Sequence, residues 1–182
     1  MTIKKSFLIM LTGISLILSG CSQSYTPLEK LPEDYSIELA KKDNCVIFGE
    51  NGEFISGEDV WHRFLEKTSA SGQANVRLVQ TLSISLLDEQ DQNPRLWIED
   101  LNYNGKTYTL SYIDDGEIIT KTYTYLKKFE GKVSSPSALS ENYTIYALVN
   151  DDNLTWEDLE SSLLSSREPY LMDCHIIYMS FD

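Results

Sequence analysis

Across residues 76–86 every second position faces one side: Val76, Leu78, Gln80, Leu82, Ile84 and Leu86, with mostly polar residues between them. A period of two describes a strand with one covered face. It excludes a helix, whose apolar stripe recurs every three or four residues. The same rhythm returns along the chain. Residues 95–103 alternate Leu96 and Ile98 against Trp97, Glu99 and Leu101, and Asn104-Gly105 follows. Both residues of that pair tolerate the positive φ of a type I′ turn. Residues 106–113 therefore read as the return strand, with Tyr108, Leu110 and Tyr112 on one face. Asp114-Asp115-Gly116 turns the chain again, into a strand expected from Ile118 to about Phe129. Further strands are expected over 143–149 and 171–181.

Three segments follow a helical period instead. Ser56-Gly57-Glu58-Asp59 is a capping-box-like start, and Val60, Trp61, Phe64 and Leu65 form one apolar stripe behind it. Thr155-Trp156-Glu157-Asp158 opens a second helix carrying Trp156, Leu159, Leu163 and Leu164, and residues 33–43 hold a short one with Ile37 and Ala40 on one side. A first strand, Cys45-Val46-Ile47-Phe48, precedes a turn at Gly49-Glu50-Asn51-Gly52. The expected architecture is α+β: an antiparallel β-meander sheet with helices packed on one face, in a single domain.

The N-terminus has its own logic. Lys4 and Lys5 precede an apolar run from Phe7 to Leu18, too short for a membrane span of roughly 20 residues. Leu18-Ser19-Gly20-Cys21 then offers small residues to a signal peptidase, followed at once by a cysteine. This lipobox pattern predicts a lipoprotein signal peptide over 1–20, diacylglycerol on the Cys21 thiol and a flexible tether over 21–32. The domain then occupies 33–182. Each buried CH₂ contributes about 0.8 kcal/mol, so two or three acyl chains make a stable anchor. The chain is then expected on the extracytoplasmic face of the cell membrane. Loss of Lys4 and Lys5 leaves 13 basic residues against 28 acidic ones, a formal charge of −15. A surface this acidic is repelled by phosphate backbones, which excludes nucleic acid as a partner, and by anionic lipid headgroups.

The remaining cysteines, Cys45 and Cys174, both sit in strand-like runs. Outside the membrane they can persist as a disulfide, closing a loop of about 130 residues and contributing roughly 4–5 kcal/mol. Two separately buried thiols are the other arrangement. A bridge is the favoured expectation, and it requires the first and last strands to be neighbours. Cys174 and His175 resemble a nucleophile and base, but adjacent residues of a strand point to opposite faces, so they form no dyad.

Other candidate chemistry is sparse. Asp59, His62 and Glu66 lie near one helical face, but no second cysteine or histidine lies nearby, and a solvated face opposite Trp61 and Phe64 is the favoured reading. The runs Asp88-Glu89-Gln90-Asp91 and Asn150-Asp151-Asp152-Asn153 lack the calcium-loop spacing and suit turns. No phosphate-cradling glycine loop and no G-x-S-x-G elbow occurs. No catalytic residue, metal or cofactor is therefore assigned. Seven tyrosines, from Tyr103 to Tyr146, fall on successive expected strands and could form an aromatic recognition face.

From Asp34 onward the order of motifs resembles a family of uncharacterised lipoproteins of Bacillus-type bacteria, defined by a domain of unknown function. The likeness is carried by Asp34-Tyr35-Ser36, Lys42-Asp43-Asn44-Cys45-Val46, Trp61 with Phe64, and Val76-Arg77-Leu78-Val79. It continues in Leu101-Asn102-Tyr103-Asn104-Gly105-Lys106, in the run from Ile119 to Thr124, and in Tyr170-Leu171-x-x-Cys174. Tyr125 stands where the family's inner cysteine is expected, a departure that bears on the cysteine pairing. The resemblance implies a lipid-anchored extracytoplasmic domain and brings no activity with it. Two functional readings stand at this point. One is a non-enzymatic module tethered to the membrane through Cys21 that binds a protein, peptide or cell-wall component. The other is a small envelope-acting hydrolase using carboxylates that nothing in the sequence singles out.

Overall fold

The computed structural model describes residues 23–82, 95–132, 142–164 and 173–181. The leader over 1–20, Cys21, the positions Ile84 and Leu86, the acidic run 88–91, and the side chains of Leu163 and Leu164 lie outside the described residues. The alternating segment forms β3 (Ala74–Leu82), and both of its faces are used. Ala74, Val76 and Leu78 pack in one apolar cluster, while Val79 packs in another on the opposite side. A strand covered on both faces belongs in the middle of a sheet, and β3 is central.

β4 (Arg95–Tyr103) lies antiparallel to β3 along its whole length, from Ala74 opposite Tyr103 to Leu82 opposite Arg95. β5 (Tyr108–Asp114) and β6 (Glu117–Tyr123) continue the meander. The two turns divide the expected chemistry differently. At the first, only Gly105 adopts a positive φ, and the Asn104 side-chain oxygen accepts the N–H groups of Lys106 and Thr107 at 2.9 and 3.0 Å. At the second, Asp115 and Gly116 both have positive φ, the pattern of a type I′ turn.

The sheet is mixed, which corrects the all-antiparallel meander. β1 (Val46–Phe48) runs parallel to β3, and β2 (Phe54–Ser56) pairs antiparallel on its outer edge, giving the order β2-β1-β3-β4-β5-β6. A parallel pair needs a crossover, and α2 (Glu58–Ser69) supplies it. Gly57, not Ser56, caps this helix: its φ is +78°, and a Cβ there would meet the Cys45 carbonyl oxygen at 2.3 Å.

The strand expected to run from Ile118 to Phe129 is cut at Thr124. There the chain leaves the first sheet and enters a second, built from β7 (Tyr125–Lys132), β8 (Asn142–Val149) and β9 (Cys174–Phe181) in the order β7-β8-β9. The Asn150 side-chain oxygen pins the corner. It accepts from the Thr124 N–H at 3.0 Å and from the Thr124 hydroxyl at 3.2 Å.

One cluster joins the two sheets and α2. Val46, Leu78, Leu101 and Leu110 of the first sheet meet Leu148 and Ile177 of the second, with Trp61 and Phe64 from the helix. α3 (Trp156–Leu164) lays Leu159 on the far side of the second sheet, against Phe129, Ile145 and Val149. α1 (Ile37–Lys42) lays Ala40 on the outer face of the first, against Cys45, Ile47 and Val79. Helices therefore occupy more than one face, contrary to the single covered face expected.

The segment after Ser22, expected as a loose tether to residue 32, is docked from Gln23 onward. Gln23 donates from Nε2 to the Asp43 carbonyl at 2.5 Å, and its backbone carbonyl accepts from Asn75 Nδ2. Arg77, completely buried, donates to both carboxylate oxygens of Asp100 at 2.6 and 2.8 Å and to the Thr26 carbonyl at 2.6 Å. The Tyr25 ring lies over its guanidinium at 4.9 Å. Leu28, in a 3₁₀ turn over Leu28–Lys30, is 5% exposed.

Trp61 is 1% exposed, stacks on Phe64 at 5.7 Å, and meets Tyr146 and Phe48 edge-on. Trp61→Ala is expected to lower stability by about 3–5 kcal/mol, read as a shifted denaturant midpoint. An unchanged midpoint would remove the helix from the shared core.

Candidate functional site

The strand period decides which polar groups meet between the sheets. On β4, Trp97, Glu99 and Leu101 share the face opposite Ile98 and Asp100, and Leu101 belongs to the shared core. Glu99 is 5% exposed. Its Oε1 accepts from the Trp97 indole N–H at 2.8 Å and lies 2.8 Å from Nε2 of His175 on β9. The imidazole stacks on the Tyr112 ring at 6.0 Å. These two contacts give the buried carboxyl its hydrogen-bond partners, and the pair also ties one sheet to the other. Chemically it is a carboxylate that orients an imidazole, an arrangement that can serve a general base. Cys174 faces away from it and packs beside the Phe129 cluster under α3.

The cysteines do not meet. Cys45, 1% exposed, sits at the foot of β1 in the outer cluster with Ala40 and Val79, whereas Cys174 opens β9 in the other sheet; both are free thiols. The expected bridge required β1 and β9 to be neighbours, and the switch of sheets at Thr124 separates them. Burial pushes the Cys45 thiol up to about 11, against a hydrogen bond with the Tyr35 hydroxyl 3.6 Å away. Burial, followed by the Asp173 carboxylate, also raises Cys174.

The other candidates resolve into ordinary contacts. Asp59 pairs with Arg63 at 2.5 Å and His62 faces Glu58 at 3.6 Å, all on the exposed side of α2. Asn150 holds Thr124 and Asp173, and Asp151 accepts the Asn153 N–H in a turn. Among the described residues, no group of three or more His, Cys, Asp or Glu is arranged to hold a metal ion. The tyrosines point mostly inward. Tyr108 and Tyr123 are buried, Tyr103, Tyr112 and Tyr146 pack on the shared core, Tyr143 packs under α3, and Tyr125 alone of the seven is exposed. A second sheet covers the face that a single meander would have left open.

The open concavity lies on the opposite face of the first sheet. α1 and the docked N-terminal segment cover β1, β3 and part of β4, and the turn over Leu28–Lys30 reaches β5, but Ile113 and Ile118 stay exposed beyond it. The step leaves a groove of about 990 Å³. Leu96, Ile98, Ile113 and Ile118 supply an apolar floor, with Ile113 and Ile118 exposed at 38% and 47%. Leu28, Leu31 and Tyr35 form the facing wall, and Glu29, Glu33, Asp34 and Glu38 line it as acids. Apolar concavities of this size with a few charged groups are typical binding sites. No single motif marks the groove. Its floor comes from three strands, its wall from the end of the segment read as a tether and the start of the short helix expected over 33–43.

Compared with known proteins, the chain matches no protein-family model, no curated protein and no solved structure.

Two free cysteines have measurable consequences. Unfolded, non-reduced protein spanning residues 22–182 should titrate two thiols, and the native protein should react first at the half-buried Cys174. Because the folded Cys45 value is raised from 9.0 to about 11, the unfolded chain ionises first, so stability falls as pH rises across that window. Cys45→Ala should flatten this part of the curve. Absence of both thiols would restore the bridge.

Proposed function

We propose that this chain is an extracytoplasmic lipoprotein, anchored through Cys21, that binds a polypeptide partner in the groove between residues 28–38 and strands β4–β6. The observation that carries the binding reading is the pairing of an exposed apolar floor with an acidic wall. Single exposed apolar residues need no explanation, but a contiguous apolar concavity rimmed by charge marks an interaction surface. Four carboxylates along one wall favour a segment that presents apolar side chains flanked by Lys or Arg. The lipobox at Leu18-Ser19-Gly20-Cys21 supports the anchor. Among the described residues no helix is long and apolar enough to cross a membrane.

A second reading rests on the Glu99–His175 pair, which is suited to activating water in an envelope-acting hydrolase. The two readings separate by mutation. Ile118→Glu changes an exposed floor residue, so its effect on stability should stay within about 0.5 kcal/mol. It should weaken binding of a fluorescent apolar peptide flanked by lysines by about tenfold or more, equivalent to 1.4 kcal/mol. Glu33→Lys with Asp34→Lys should do the same. Unaltered affinity in both variants removes the groove as the site. Hydrolysis of an envelope polymer that is lost in His175→Ala would favour the enzyme. Cys21→Ala should abolish labelled-palmitate uptake, and continued labelling would refute the anchor.

A further inference from the structure

We infer that the polypeptide partner binds as an added β-strand along the free edge of β6, where alternate side chains extend the apolar floor of the groove outward from Ile118. The inference rests on the groove reading proposed above and specifies how the partner is held.

The turn at Asp115 and Gly116 fixes which backbone groups β6 leaves open. In a two-residue type I′ hairpin the flanking residues, Asp114 and Glu117, exchange both of their hydrogen bonds. Bonded pairs then alternate along the ladder, so Ile119, Lys121 and Tyr123 also point their N–H and C=O groups at β5. Ile118, Thr120 and Thr122 point theirs away from it. Among the described residues β6 has β5 as its one neighbour in the sheet. The three outward residues share a face with Ile113, Ser111 and Thr109, their partners in register. That is the groove face, since Ile113 and Ile118 both line the groove.

The two edges of this sheet are built differently. β2 is three residues long, and the register shifts where it meets β1. Short, irregular edges make poor templates for a further strand. β6 is seven residues long, keeps one register from Glu117 to Tyr123, and contains neither Pro nor Gly. Ile118, Thr120, Lys121 and Thr122 are all exposed. The strand's one guard against pairing is Lys121, which sits with Leu110 on the inner face. A row of outward N–H and C=O groups at strand spacing is complementary to another polypeptide backbone. A partner residue opposite Ile118 places its side chain on the groove face, about 5 Å from Ile118.

Charge selects among polypeptides. Asp114, Asp115 and Glu117 stand at one end of β6. At the other end Asp151, Asp152 and Asp173 gather around the Thr124–Asn150 corner, with Lys127 paired to Asp152. Among the residues lining the groove, Glu29, Glu33, Asp34 and Glu38 outnumber Arg95. A second copy of this chain, paired antiparallel about Thr120, would lay each turn toward the other's corner, acid against acid. A different polypeptide, apolar in the middle with Lys or Arg at both ends, meets both acidic ends favourably.

The test uses the full mature chain in detergent and a fluorescent peptide, Lys-Lys-Val-Thr-Val-Thr-Val-Lys-Lys, with anisotropy as the readout. Absence of binding to the wild type, or binding unaltered by Ile118→Glu, refutes the groove reading itself. Two N-methylated peptides then test the mode. With valine side chains toward the groove, the valine N–H groups face β6. Methyls on the three valines should therefore weaken binding by about tenfold or more, through the hydrogen bonds they remove. Methyls on the two threonines should leave it unchanged. Thr120→Pro removes the central outward N–H at a position where an edge strand accepts proline. It should keep the wild-type circular dichroism and lose affinity. Binding that both methylated peptides retain, or that both lose, overturns strand addition and leaves the groove reading standing. Undiminished binding in folded Thr120→Pro overturns it as well. Wild-type protein that sediments as a dimer, and as a monomer in Thr120→Pro, replaces the proposed partner with a second copy.

Discussion

Arg77 is completely buried in the middle of the central strand, and its charge is tolerable only because Asp100 meets it with two hydrogen bonds from the neighbouring strand. Burial acts to lower its pKa, but the hydrogen bonds and charge of Asp100 outweigh that and raise it. Pairs of this kind contribute little net stability compared with apolar packing, yet losing one partner costs about 3–5 kcal/mol. What Arg77 does is positional. The Nη2 that bonds Asp100 also donates to the Thr26 carbonyl, and the flat guanidinium carries the Tyr25 ring. Eleven residues further along, Ser36 caps α1 by accepting the Leu39 N–H, and Tyr35 donates to Asp43. The belt from Gln23 to Asp43 is thereby fixed across the outer face. Its edge forms the wall of the groove.

Much of the sheet was legible in the sequence, because its signals are local. The alternation of β3, the return strands around Asn104-Gly105 and Asp115-Gly116, and the Trp61–Phe64 stripe each depend on residues within one element. The parallel placement of β1 was not legible, since nothing local distinguishes a strand that starts a crossover from one that continues a meander. The break at Thr124 was hidden for a similar reason. Residues 118–129 read as one unbroken strand, and the group that turns the corner is Asn150, 26 positions later. That one missed corner carries two further errors with it. It creates the second sheet that buries the tyrosines, and it places Cys174 in a different sheet from Cys45.

The candidate site was less legible than the fold. Glu99 was one of 28 acids, and His175 drew notice only beside Cys174. Their meeting depends on two sheets facing each other, a relation no spacing encodes. The groove depends on a polar, proline-containing segment behaving as structure. The local signals in residues 22–32 favour a loose chain, and a tertiary contact with Arg77 overrides them.

The dependence of belt and groove on one buried arginine is most directly tested by replacing the ion pair with apolar residues, Arg77→Met with Asp100→Leu. Such replacements are often neutral for the fold, so global unfolding stays a control. Amide hydrogen exchange is then compared over residues 23–38 and over β3–β6. The account predicts that protection of 23–38 collapses toward that of an unstructured chain while the strands keep theirs. Wild-type protection across 23–38 in that variant would contradict it.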